Sequence, residues 1–272
     1  RPSRPPPHPT TAVTEGLSLC LLCVMVDLSM RYNVNQYAKE ALYGLPIAVF
    51  DFETTGVDTN TCRAVEIAVV HLELGKGNAK AVYTQRFNPG VPIPEGASNI
   101  HGIKDEDVLD KPTFIECWTE IEALFKGRVL AAYNLSFDWS LLNQEYRRHS
   151  IWQPTYNPHL IYGEQMFGIC GLVMARSIDK MRGKGVHKLN AVCKRRGIEL
   201  DNAHEASSDA LASAQLIECL MGEVRQKRGE KFPTFRDFWG WQKIQAIQQE
   251  ANLRQWLLSK DIENDVWPWT DY

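Results

Sequence analysis

The run Pro46 to Phe52 constrains the fold more than any other stretch of the chain. Ile47, Ala48, Val49 and Phe50 are apolar on both faces of a strand, so this strand belongs in the middle of a sheet. It ends in Asp51-Phe52-Glu53, and Thr54, Thr55 and Gly56 then break it. Side chains two apart on a strand share a face, which puts Asp51 and Glu53 side by side. Two carboxylates at the end of a central strand repel each other and lose hydration. None of the five residues before them is basic. A divalent cation with hard oxygen ligands meets that need, as does full solvation of the strand end.

The rest of the central region alternates strand and helix patterns. Val65 to Leu74 and Ala81 to Phe87 read as strands, and the turn residues from Asn88-Pro89-Gly90 to Gly96 read as a loop. Phe114 to Phe125 has helical spacing, Val129 to Tyr133 is a short apolar strand, and a helix capped by Asn134 or Ser136 follows it. Leu172 to Met174 reads as another strand. Leu189, Val192 and Cys193 make a short helix closed by Gly197, and Ser207 to Met221 is a helix rich in Ala and Leu. Three strands followed by alternating helices and strands predict an α/β fold: a mixed β-sheet flanked by α-helices.

Three more candidates lie on these elements. Asp138 and Asp209 fall in the first turns of two predicted helices, where an acid complements the helix dipole without any metal. His204 stands in a loop five residues before Asp209. All three segments adjoin one sheet, so the acids can converge, and four converging carboxylates need cations.

Asp51-Phe52-Glu53-Thr54-Thr55-Gly56, then Asn134-x-x-Phe137-Asp138, then His204-x-x-x-x-Asp209 resemble the three motifs of the DnaQ-like DEDDh exonuclease family. That family includes the proofreading epsilon subunit of bacterial replicative polymerases. Ile100-His101-Gly102-Ile103, after Asn88-Pro89-Gly90, resembles the same proofreading enzymes. The resemblance covers about Pro46 to Leu220. The sister branch has a tyrosine four residues before the last Asp, where this chain has Glu205; Tyr133 stands where many relatives have a histidine that is not a metal ligand.

The resemblance implies an RNase H-like fold and 3′→5′ hydrolysis of phosphodiesters with two divalent cations, Mg²⁺ or Mn²⁺. Asp51, Glu53 and Asp209 would hold one ion, and Asp51 with Asp138 the other. His204 would take the proton of the attacking water; an imidazole pKa of roughly 6.5 suits that role. Thr54, Thr55, Gly56, His101, Asn134 and Phe137 would meet substrate, Gly56 by letting a nucleotide approach closely. The product would be a 5′-nucleoside monophosphate. The substrate would be a single-stranded nucleic-acid 3′ end, with DNA favoured over RNA by the His101-Gly102 feature and the Pro-Gly loop. A DNA polymerase is the implied partner. A non-catalytic module that kept the fold would have lost a ligand; all four acids and the histidine are present.

Charge bears on substrate grip. The chain has 30 basic and 33 acidic residues, a formal charge of −3, so any polyanion site must be local or metal-assisted. Lys180, Arg182, Lys184, Lys188, Lys194, Arg195 and Arg196 form an acid-free basic run, either a solvated face or a backbone grip.

The ends differ from the middle. Pro2, Pro5, Pro6, Pro7 and Pro9 forbid regular structure, which assigns 1–45 to a disordered or poorly ordered tail. The apolar run Leu17 to Val26 is too short to span a bilayer, which takes about 20 residues, and no signal-peptidase site follows it. Met25 or Met30 is a candidate start. Cys20 and Cys23 lack the second pair that a structural zinc needs. The seven scattered cysteines suit reduced thiols and a cytoplasmic setting, and no membrane partner is expected. With 46–222 as the exonuclease domain, 223–272 is a Trp-rich helical C-terminal extension. There Ile244, Ile247, Ala251 and Leu258 recur at helical spacing, predicting an amphipathic helix packed by that stripe, with Trp267-Pro268-Trp269 as an anchor; a partner-docking surface is the alternative. Residues 151–170 read as an enlarged connection.

Overall fold

The computed structural model describes residues 39–148, 168–181, 183–200, 204–228 and 232–260. The Pro-rich start, the run Leu17 to Val26, the Cys20/Cys23 pair, most of the 151–170 connection, Arg182 and the Trp267-Pro268-Trp269 segment lie outside the described residues.

Five strands form one sheet in the order β3-β2-β1-β4-β5. They are β1 (Pro46–Thr54), β2 (Ala64–Glu73), β3 (Lys80–Arg86), β4 (Val129–Ala132) and β5 (Gly168–Cys170). The sheet is mixed, as the pattern predicts. β1 and β2, and β2 and β3, are antiparallel; β4 runs parallel to both β1 and β5. β1 is therefore central, and its apolar run is fully buried.

The helices are α1 (Glu95–His101), α2 (Asp105–Val108), α3 (Trp118–Phe125), α4 (Leu135–Arg148), α5 (Gly171–Ile178), α6 (Leu189–Arg195), α7 (Ala206–Arg228) and α8 (Phe235–Leu258). Phe50, which also meets Phe125, and Phe52, two apart on β1, start an aromatic chain that runs through Phe114 to Trp118 and on to Tyr146 of α4. The alternation of the strand then places Asp51 and Glu53 on the other side. α7 packs across β1 and β2. Its buried Ala206, Ala210 and Ala214, four apart, let its backbone come close.

Several elements differ from the sequence reading. Leu172–Met174 is not a strand. The apolar run from Gly168 to Met174 splits: Gly168–Cys170 extends β4's edge, and Leu172, Val173 and Met174 fall inside α5. Short apolar runs do not declare their period. α1 begins inside the expected loop, at Glu95. Within the expected tail, residues 39–45 pack against the start of α8: Leu42 and Leu45 are buried, Ala41 bridges to Thr234, and the Phe235 N–H donates to the Glu40 carbonyl.

α7 runs unbroken across positions 222–223 to Arg228. α8 is a helix as expected, yet it packs by a different face. Ile244, Ile247 and Leu258 are 56%, 51% and 73% exposed. Phe235, Phe238, Trp241, Gln242, Ala246 and Glu250 are buried instead, and Phe235 and Phe238 join the same core as the sheet. Gln242 explains the choice of face: its amide bonds both the Gly168 carbonyl and the Cys170 N–H, completing the edge strand β5. Among the described residues, no helix is long and apolar enough to cross a membrane.

Candidate active site

Asp51, Glu53 and Asp209 converge. One carboxylate oxygen of each lies within 4.8 Å of the others. β1 supplies the first two, and α7 delivers Asp209 from its first turn, as the spacing predicts. The His204 N–H donates to Asp209 Oδ2 at 3.3 Å, while Asp209 Oδ1 is buried and has no hydrogen-bond partner. Asp138, in the first turn of α4, is 3% exposed, and its Oδ1 accepts the Phe52 N–H at 3.2 Å. It is thus no solvated helix-terminal acid.

All four carboxyls are pushed above their ordinary range. Burial is the main cause at Asp51, followed by the charges of Asp138, Asp209, Glu53 and Glu66. Burial raises Glu53 to about 8, helped by Asp209, Glu66 and Asp138. Asp138 rises to about 8 because burial outweighs the bond from Phe52. Asp209 is raised by burial against the lowering effect of His204. A cluster of acids that resists ionisation, offers only oxygen ligands and leaves one buried oxygen unbonded fits divalent cations.

His204 is exposed and adopts φ 74°, the left-handed region that non-glycine residues rarely occupy. That turn sends the chain into α7 with the His204 N–H on Asp209.

The other candidates divide. The Thr55 hydroxyl accepts the Arg63 N–H, and the Thr54 hydroxyl donates to the Gly56 carbonyl, so both shape the turn after β1. Glu145 of α4 holds the far end of that turn, accepting from Arg63, Ala64 and Arg148. A Cβ at Gly56 would meet only the Cβ of Cys62, at 3.7 Å, so the fold itself does not require glycine there. His101 ends α1. Its Nδ1 accepts the Ile103 N–H, which leaves Nε2 to donate to the Thr54 carbonyl at 3.3 Å. Asn134 accepts from the Ser136 hydroxyl, and Phe137 is half-buried beside Asp138. In the basic run, Arg195 pairs with Asp179, and Arg196 with Asp179 and Glu223; both are tied into the fold. Lys180, Lys184, Lys188 and Lys194 are exposed.

Sequence reasoning missed Glu66 and Arg86. Glu66 pairs across the sheet with Glu53, and Arg86 with Glu66. A lone carboxylate inside the apolar run of β2 was the available signal.

The model of the RNase T exonuclease family matches residues 48–217, more than half of the 272. The chain belongs to this exonuclease family. DNA polymerase III PolC-type of Streptococcus thermophilus is 30% identical over 195 residues, which cover 72% of this chain and 12% of that protein. The chain thus spans about an eighth of the length of such curated relatives. Among solved structures, E. coli exonuclease I in complex with a dA16 oligonucleotide matches with a TM-score of 0.54 at 19% identity, over 68% of this chain and 42% of that one. A 3′-exonuclease described for 3′-end-specific recognition of a histone mRNA stem-loop matches with a TM-score of 0.55 at 16% identity, over 68% and 84%. These two share the exonuclease family's fold with this chain, and the sequence's expectation of an RNase H-like sheet is met.

Proposed function

We propose that the protein is a 3′→5′ exonuclease that removes 5′-nucleoside monophosphates from single-stranded DNA ends. The observation that carries this reading is the convergence of Asp51, Glu53 and Asp209, with the unbonded Asp209 Oδ1 and with Asp138 buried beside them. Asp51, Glu53 and Asp209 would hold one Mg²⁺ or Mn²⁺ ion, and Asp51 with Asp138 would hold the second. Two such ions supply charge neutralisation at the scissile phosphate and at the attacking and leaving oxygens. His204 accepts the proton of the attacking water; its exposed position lets the ring swing toward the cluster. The Thr54–Gly56 turn and His101 shape the mouth of the site, and Asn134, just before α4, and Phe137 on α4 border it.

The choice of DNA in this reading is supported by the PolC-type relative. The same relative makes a DNA polymerase the expected partner.

The test is digestion of 5′-labelled single-stranded DNA and RNA of matched sequence with Mg²⁺, Mn²⁺ or EDTA, beside Asp209→Ala. A ladder that shortens from the 3′ end, faster on DNA and abolished by EDTA and by the substitution, is the expected result. Faster shortening of RNA reverses the substrate choice, and equal activity in Asp209→Ala rejects the reading.

A further inference from the structure

Glu53, Glu66 and Arg86 form a row across β1, β2 and β3. Cross-strand partners share a face, so the row runs from the carboxylate cluster to the rim of the sheet. Arg86 Nε donates to Glu66 Oε1 at 2.8 Å; the Glu66 side chain is 5% exposed and that of Arg86 41%. That bond uses one of the five guanidinium donors, and the Arg86 side chain stays partly open to solvent.

The charges that bear on Asp51 and Glu53 are carboxylates, Glu66 among them. A substrate strand adds one negative charge per nucleotide to this acidic mouth. Arg86 is a cation fixed at its edge by the Glu66 carboxylate. With strands about 4.8 Å apart, its Cα lies roughly 10 Å from that of Glu53. That offset suits the phosphate of a neighbouring nucleotide and not the scissile one. Neutralising Glu66 needs only a positive charge, which a lysine supplies equally. A planar fork pinned by one edge leaves the other edge shaped for phosphate.

We propose that Arg86, held in place by Glu66, grips a non-scissile phosphate of the bound strand. This rests on the exonuclease reading above. Two substrates separate the two: a single-stranded DNA 20-mer, and the p-nitrophenyl ester of thymidine 5′-monophosphate, which has one phosphodiester and no neighbouring phosphate. Arg86→Gln is expected to raise KM for the 20-mer about tenfold with kcat retained, and to lower the slope of log KM against log salt by about one. Turnover of the ester should be unchanged. Arg86→Lys keeps the charge beside Glu66 and loses the fork, so a smaller rise in KM for the 20-mer, again with the ester untouched, is expected. This variant carries the test if Arg86→Gln does not fold. Equal loss on both substrates means that Arg86 only neutralises Glu66 and overturns the proposal, as does an unchanged KM for the 20-mer. Turnover of neither substrate by the wild type overturns the exonuclease reading and this proposal with it.

Discussion

The Asp138 carboxylate and the Phe52 backbone N–H are joined by a 3.2 Å hydrogen bond between α4 and the end of β1. The bond sits between Asp51 and Glu53 in the chain, so it sets the height of α4 against the acidic strand. Asp138→Asn keeps an acceptor for that N–H and removes a charge. It is expected to abolish metal-dependent nuclease activity while raising the melting temperature in EDTA at pH 8. Asp138→Ala leaves the N–H unbonded and is expected to lose about 1–3 kcal/mol relative to Asp138→Asn. Thermal melts of both variants beside a nuclease assay measure this.

The raised carboxyls make the metal-free protein sensitive to pH in an unusual direction. Glu53 and Asp138 titrate near about 8 when folded and near their ordinary values, 4.5 and 3.8, when unfolded. Between those limits the folded chain holds more protons than the unfolded one, so stability falls as pH rises from about 4 to about 8. In EDTA the denaturant midpoint is expected to drop between pH 5 and pH 8, and Mn²⁺ should restore it at pH 8. The double variant Asp51→Asn with Glu53→Gln should make the drop smaller and leave the part that the buried Asp138 contributes. A midpoint that rises with pH in EDTA contradicts the electrostatics described for the cluster.

His204 offers the opposite profile: chemistry without stability. It is exposed, and its backbone N–H bonds Asp209. His204→Asn keeps a residue tolerant of φ 74°. It is expected to lower kcat about 10²–10⁴-fold with an unchanged melting temperature. A retained kcat assigns the proton transfer to another group.

Much of this layout was legible in the sequence, for physical reasons that also mark where legibility ends. β1 to β4 are bounded by turn residues and carry apolar runs, so their ends fall within two residues of the prediction. Strand alternation put Asp51 and Glu53 on one face, and helix starts gave Asp138 and Asp209 their places, while the choice of these acids as one set with His204 came from the resemblance to the DEDDh motifs. Glu66 was invisible because a single acid in an apolar strand does not announce its cross-strand partner; only the register with Glu53 gives it meaning. The face of α8 was misread because Gln242 and Glu250 are polar, and a hydrophobic tally assigns such residues to solvent. β5 and α5 were confused because no polar residue separates them.

Gln242 tests the link between α8 and the sheet. β5 is an edge strand of three residues, and Gln242 supplies what a sixth strand would: Oε1 accepts the Cys170 N–H at 2.8 Å, and Nε2 donates to the Gly168 carbonyl at 2.9 Å. Gln242→Leu fits the same volume with no polar atoms, which leaves a buried N–H and a buried carbonyl without partners. Each costs about 1–3 kcal/mol, and the gain from an apolar side chain offsets only part. A net loss of about 2–4 kcal/mol in denaturant unfolding is expected, a large fraction of the stability of an ordinary domain. Gln242→Glu sets a carboxylate against the Gly168 carbonyl at a fully buried position, and at neutral pH should lose at least as much. Because β5 lies two strands from Asp51, kcat of the surviving folded fraction should be unchanged, and a selective loss of activity at wild-type stability would show that α8 reaches the site by a route other than this amide.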